Sequence, residues 1–241
     1  MVLPAGDLSD NGCPHHLRKL PLPATLTIKS LCKEARVFSA AESVHPEPAL
    51  FGTTDGKAIG TYLEHKFRAY LAAKGYDFEA GNAANGLDFP GLNVDIKVTS
   101  IKQPQSSCPF RSIRQKVYGL GYSLLVFVYE KTDDHANKSA ILRMTDTIFV
   151  EASRTADFQM TRGLIKLLDE GCNDDDLMAF MADRSLTTDE HELRVLASEI
   201  LSKRPEQGYL TISPALQWRL QYKRVIAQAG TVEGVISVFK G

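Results

Sequence analysis

Apolar residues recur along this chain with two periods, and the switches between them mark its elements. Over 57–75, Ile59, Leu63, Phe67, Tyr70 and Leu71 fall on one stripe at helical spacing, Thr53, Thr54 and Asp55 offer caps before it, and Gly75 offers a stop. A looser stripe of Leu26, Leu31, Ala35 and Phe38 predicts an earlier helix over 25–39. Residues 76–80 alternate as a short strand, and 81–86 form a Gly-Asn loop. Residues 87–89 and 92–99 read as two strands joined by the Pro90-Gly91 turn, a predicted hairpin. A short basic helix is expected over 110–119, followed by a tight turn at Gly119-Leu120-Gly121. The nearly unbroken apolar run over 122–129 predicts a strand covered on both faces. Another strand, or a pair, falls over 138–150, and helical periodicity then dominates at 157–169, 174–181, 189–202 and 214–229.

This order predicts an α/β fold: a mixed sheet flanked by helices, with a helical C-terminal portion. We divide the 241 residues into an N-terminal segment with one helix (1–55), a core (56–152) and a mainly helical part packed on it (153–241), the last available for recognition or dimerisation. A composition of 44% hydrophobic and 24% charged residues suits an ordinary folded core and argues against disorder. No apolar stretch reaches membrane-span length, and residues 1–7 lack the basic start and apolar run of a signal peptide, so the cytoplasm is the expected location. The four cysteines are scattered without a CxxC, as in reduced cytosolic thiols.

A net charge of −1 gives no reason by itself to expect a polyanionic partner. Its distribution does: from Lys97 to Tyr129 the chain carries Lys102, Arg111, Arg114 and Lys116 and no Asp or Glu. At the head of this segment stand Asp95 and Lys97, two residues apart on a predicted strand and therefore on one face, while Val94, Ile96 and Val98 take the other. The predicted hairpin can bring Asp88, seven residues before Asp95, alongside it. Two carboxylates held so close repel unless a cation lies between them, and an all-oxygen site suits Mg²⁺. A nearby ammonium can hold a water or offset charge building on a phosphate.

Asp88, then Asp95-Ile96-Lys97, with Glu64 on a preceding helix, resembles the PD-(D/E)XK nuclease superfamily, whose core of helix, hairpin, crossover helix and central strand is matched in order over 56–129. The resemblance is greatest to type II restriction endonucleases. It implies that Asp88, Asp95 and Glu64 hold Mg²⁺, that Lys97 positions the nucleophilic water, and that the substrate is double-stranded DNA cut by a homodimer. The superfamily's proline usually precedes the first acid, whereas here Leu87 does and Pro90 follows, and the spacing is short; Asp77 and Glu79, 18 and 16 residues before Asp95, are rival first acids. Lys102 and Gln103 in the loop after the catalytic strand, and Arg111, Arg114, Gln115 and Lys116 on the crossover helix, are the expected DNA contacts.

Other constellations carry less. Cys13, His15, His16 and Cys32 match no zinc spacing. A helix-turn-helix with a wing over 174–212, its wing a strand at 208–212, would have an acidic recognition helix, which argues for packing rather than groove insertion. Trp218, Arg219, Lys223 and Arg224 give the last predicted helix a basic face. No G-x-x-x-x-G-K-[ST] is present, so no nucleotide cofactor is expected. Two further functions stay open: a repair or junction-resolving nuclease, and a non-catalytic DNA-binding module on the same fold.

Overall fold

The structure, a computed structural model, describes residues 24–79, 81, 86–109, 111–213 and 218–241. Cys13, His15 and His16 lie outside the described residues. β1 (Ala24–Thr25) leads into α1 (Ile28–Glu42), which starts where Thr27 and Ser30 exchange side-chain and main-chain hydrogen bonds in a capping box. After β2 (Pro46–Glu47), α2 (Gly56–Ala73) begins at Asp55, whose carboxylate accepts the Lys57 N–H at 2.9 Å. β3 (Tyr76–Asp77) pairs in parallel with β1. Then come β4 (Val94–Ser100), β5 (Gln105–Cys108), α3 (Arg114–Tyr118), β6 (Ser123–Asp134) and β7 (Ser139–Val150). The helices α4 (Phe158–Asp169), α5 (Asp174–Asp183) and α6 (Glu190–Ser202) follow, and the chain closes with β8 (Thr211–Ser213), β9 (Trp218–Gln221), α7 (Lys223–Gln228) and β10 (Val235–Lys240).

The main sheet has the order β10-β7-β6-β4, with β2 also pairing β7; β4 and β6 are parallel and the other pairs antiparallel. The predicted doubly covered strand is β6. Its Leu125, Phe127 and Tyr129 join a core beneath α1 and α2, and its Leu124, Val126 and Val128 join a second core on the opposite face, beneath a three-stranded sheet of order β5-β9-β8. A third cluster, built from Ile113, Val117, Leu164, Leu177, Leu193, Ile200 and their neighbours, packs α3 to α6 together, which is the role argued above for the acidic α6. Asp157 ties this layer to the small sheet: one oxygen caps α4 through the Met160 N–H at 2.9 Å and the other accepts the Ile212 N–H at 2.7 Å. The tight turn before β6 depends on Gly119, at φ 87°, where a Cβ would lie 2.7 Å from the Ala152 carbonyl oxygen. No helix among the described residues is long and apolar enough to cross a membrane.

The mixed α/β architecture agrees with the sequence reading, and two expectations, the hairpin before β4 and the last helix, are corrected. The hairpin before β4 shrinks to a single bridge between Phe89 and Val94 around a 3₁₀ turn at Pro90–Leu92, because Asn93 turns back in the left-handed conformation and leaves no second strand to pair. Of the helix expected over 214–229, residues 218–221 form β9 and 223–228 the short α7, while 214–217 lie outside the described residues; Leu220 and Tyr222 pack inward and Arg219 stays exposed, a period of two and not of 3.6. The C-terminal portion is therefore not purely helical, since it supplies β8, β9 and the edge strand β10. Residues 139–150 form one strand, the first of the two alternatives expected there.

Candidate active site

The elements converge at β4, the end strand of the main sheet. Val94 and Ile96 are buried in the core beneath α2, and Val98 packs against it. Asp95 and Lys97, registered against Leu124 and Val126 of β6, take the other face, toward the small sheet. The alternation read from sequence thus holds, yet the charged face is not solvated: Asp95 is only 5% exposed, and its Oδ2 lies 2.6 Å from the Lys97 ammonium. Asp88 reaches the same place from the bend before the 3₁₀ turn. Its Oδ2 accepts the Ile96 N–H at 2.9 Å, a side-chain bond to β4 that adds to the single Phe89–Val94 bridge. Its Oδ1 lies 3.4 Å from the Arg68 guanidinium.

Glu64 and Arg68 stand one helical turn apart on α2 and so face the site together. Burial, with Asp88 and Asp95 adding repulsion, pushes the Glu64 carboxyl up to about 7 against the pull of Lys97 and Arg68. Burial also raises Asp95, to about 6, helped by the neighbouring Asp88 and opposed by Lys97. For Lys97, burial pulls downward, but Asp95, Glu64 and Asp88 outweigh it and hold the ammonium above the ordinary lysine value. The cluster therefore has an excess of negative charge for the cations it holds, which is the condition that favours a further cation. The donors are carboxylate oxygens throughout, the set that a hard divalent ion takes. Among the described residues no three His, Cys, Asp or Glu side chains already enclose an ion position; Lys97 and Arg68 lie against the carboxylates instead.

The rival acids are placed elsewhere. Asp77 is paired into β3 and exposed, and Glu79 is exposed beyond it, whereas Asp88 is the acid beside Asp95. Of the expected DNA contacts, Lys102, Gln103 and Arg111 are exposed. Thr99 anchors the loop that holds the first two, its hydroxyl oxygen accepting the Gln105 N–H at 2.9 Å. Arg114 is exposed and forms a two-pronged ion pair with Glu199. Gln115 and Lys116 are buried: the Gln115 Oε1 accepts the Arg111 main-chain N–H at 3.1 Å, and burial lowers the Lys116 ammonium, opposed by Asp157. Those two side chains hold α3 in place and do not face solvent in this conformation. Sequence reasoning missed Arg68, although its spacing of four from Glu64 was a readable signal. It also missed the wall formed by Cys108, Tyr122, Ser106 and Tyr222, where the Ser106 and Tyr222 hydroxyls lie 2.6 Å apart and the Cys108 thiol 3.7 Å from the Tyr122 hydroxyl. Only tertiary structure brings that wall to Asp95.

Comparison with known proteins agrees with a nuclease. The family described as type II restriction enzyme NspV matches residues 25–237. The type II restriction enzyme NspV of Nostoc sp. (strain ATCC 29411 / PCC 7524) is 61% identical over 215 residues, covering 89% of this chain and 97% of that protein. No solved structure matches.

Proposed function

Since the chain belongs to the family of the type II restriction enzyme NspV, we propose that it is a sequence-specific endonuclease whose reaction centre, of PD-(D/E)XK type, is the cluster of Asp88, Asp95, Lys97 and Glu64. The observation that carries this assignment is the pairing of a buried Asp95 with Lys97 on the end strand, with Asp88 fixed beside them by the Ile96 N–H.

In this reading Asp88, Asp95 and Glu64 hold Mg²⁺, which supplies positive charge to offset that of the phosphate. The Lys97 ammonium, kept protonated by its carboxylate neighbours, leaves Asp95 to hydrogen-bond the attacking water and to stabilise charge building on the phosphoryl oxygens. Arg68 and the Ile96 N–H keep the Asp88 carboxylate in one orientation, so that less ordering is needed when substrate arrives. The substrate is double-stranded DNA, and a symmetric site cut in both strands suits a two-fold homodimer. The intact Asp95-Ile96-Lys97 favours an active enzyme over a binding module, and the family assignment favours a linear duplex site over flaps or junctions.

Digestion of unmethylated phage DNA tests the proposal. Discrete fragments are expected with Mg²⁺ and none with EDTA, and Lys97→Ala or Asp95→Ala should lower cleavage by at least about 100-fold. Cleavage that persists in either variant would remove these residues from the mechanism.

A further inference from the structure

The stretch 96–129, noted above for lacking acidic residues, has a counterpart: no Asp or Glu occurs over 207–232 either, where Arg219, Lys223 and Arg224 stand. In a chain of net charge −1 these two runs are separated by the 77 residues of 130–206, yet the fold joins them. β5 comes from the first and β8 and β9 from the second, and the three form the small sheet in the order β5-β9-β8. Its strands contain no acidic side chain at all.

The two faces of this sheet differ sharply. Cys108, Leu220 and Ile212 enter the second core, and Ser106 turns inward to the buried Tyr222. The alternate positions face out. Gln105 lies opposite Gln221, which lies opposite Thr211; Ser107 lies opposite Arg219, which lies opposite Ser213. These six polar residues form two rows across the sheet, all exposed or half-exposed, and Arg219 makes no ion pair with another described residue.

We infer that the outer face of the β5–β9 pair is the surface that reads base edges in the major groove of the DNA duplex. This inference rests on the endonuclease reading above and assigns its recognition element. The chemistry fits: Arg offers a two-pronged donor to guanine, Gln pairs donor and acceptor with adenine, and Ser and Thr bond to either. Strands of a sheet are elements that proteins lay in a DNA groove. Absence of carboxylates removes repulsion from the flanking phosphates. The small sheet is also continuous with the reaction centre. Cys108, next to Ser107 on β5, is close enough for its thiol to feel both Lys97 and Asp95, and the Tyr222 N–H donates to the Pro104 carbonyl at 2.8 Å, locking β9 to the loop that leaves β4. A base pair read at Ser107 and Arg219 therefore lies next to the strand that cuts.

The experiment begins with wild-type digestion of phage DNA to map the sequence cut. Two duplex oligonucleotides, one with that sequence and one scrambled, are then titrated with full-length Lys97→Ala protein in which Arg219→Ala, Gln221→Ala or Arg219→Lys has been added. Arg219→Ala and Gln221→Ala should each weaken binding of the specific duplex by roughly 10- to 100-fold and change the scrambled duplex by less than about threefold. Arg219→Lys, which keeps the charge and the strand but loses the planar fork, should lose specific binding while retaining the scrambled affinity. Lys33→Ala, exposed on α1 beyond the opposite core, should change neither. Equal losses on both duplexes would mean a phosphate contact and would overturn base reading. Unchanged discrimination in all three variants, with the wild type still giving discrete fragments, would overturn this inference alone. A wild type that gives no discrete fragments from any unmethylated DNA would overturn the endonuclease reading and this inference with it.

Discussion

Helix α2 carries two clusters of buried carboxylates on nearly opposite faces. Glu64 and Arg68 look toward Asp88, Asp95 and Lys97. Tyr62 and Lys66, offset by two residues or roughly 200° around the helix, look toward Glu42 at the end of α1 and Glu47 on β2. The second cluster is the more deeply buried by its acids, with Glu42 2% and Glu47 3% exposed, and it too has a raised carboxyl, Glu42 being pushed up to about 7 by burial and by Glu47. Burial and a shifted carboxyl therefore do not distinguish the proposed reaction centre from a structural joint. The partners do. Lys66 bridges both glutamates and the Tyr62 hydroxyl donates to Glu47, so one cation and one hydroxyl join α1, β2 and α2. Both clusters hold one more carboxylate than cation, but in the first each aspartate has its own cation, and the group lies on the sheet's end strand beside an acid-free surface.

The contrast is broken most strongly by exchanging the roles of the two lysines. Lys66→Met should remove about 3 kcal/mol of stability, because it leaves two buried carboxylates without their cation, while the protein that remains folded should cut DNA normally. Lys97→Met also takes the cation from a buried carboxylate, Asp95, and should lower the melting midpoint as well, but unlike Lys66→Met it should abolish cleavage by the protein that remains folded; chemical denaturation and fragment assays on both variants check this pair.

A smaller effect separates the clusters by pH. Because Glu64 and Asp95 are held up to about 7 and about 6, their ionised forms, which the proposed metal site needs, are lost as pH falls through that range. Cleavage at fixed, subsaturating Mg²⁺ should therefore drop by about tenfold from pH 8 to pH 6, one proton's worth per unit below the higher value, and added Mg²⁺ should shift the midpoint downward. A rate flat across this interval would detach these carboxylates from the rate. The Lys66 cluster should leave that profile unchanged.

The smallest effect concerns Glu42. Its folded value lies above the ordinary 4.5, so the stability it contributes is present below the unfolded value and is lost as pH rises through about 7. Its Oε1 is also buried without a hydrogen-bond partner. Glu42→Gln, which mimics the protonated acid, should raise the thermal midpoint at pH 8 by about 1–3 °C and leave it nearly unchanged at pH 5. Equal shifts at both pH values would show that titration of Glu42 plays no part.

Much of this was readable without coordinates because it is local. The stripe of Ile59, Leu63 and Phe67 set α2, the apolar run of β6 set the middle of the sheet, and the alternation around Ile96 put Asp95 and Lys97 on one face. What misled was equally local: Pro90-Gly91 signals a hairpin, but Asn93 turns the chain so that Asp88 meets β4 through one side-chain bond. The run after Pro214 has residues of good helical propensity, and burial against the main sheet drew it into a strand at Trp218–Gln221.

The sequence by itself determined α2, β6 and the alternation of β4, the spacing of Asp88, Asp95 and Lys97, and the acid-free character of 97–129, since periodicity and charge are properties of neighbours along the chain. Only the tertiary structure decided that Arg68 lies against Asp88, that Gln115 and Lys116 are buried, and that two acid-free stretches meet in one sheet beside the site. Those outcomes depend on which faces must leave water together, and contacts of that kind between residues far apart in the chain have no period to read.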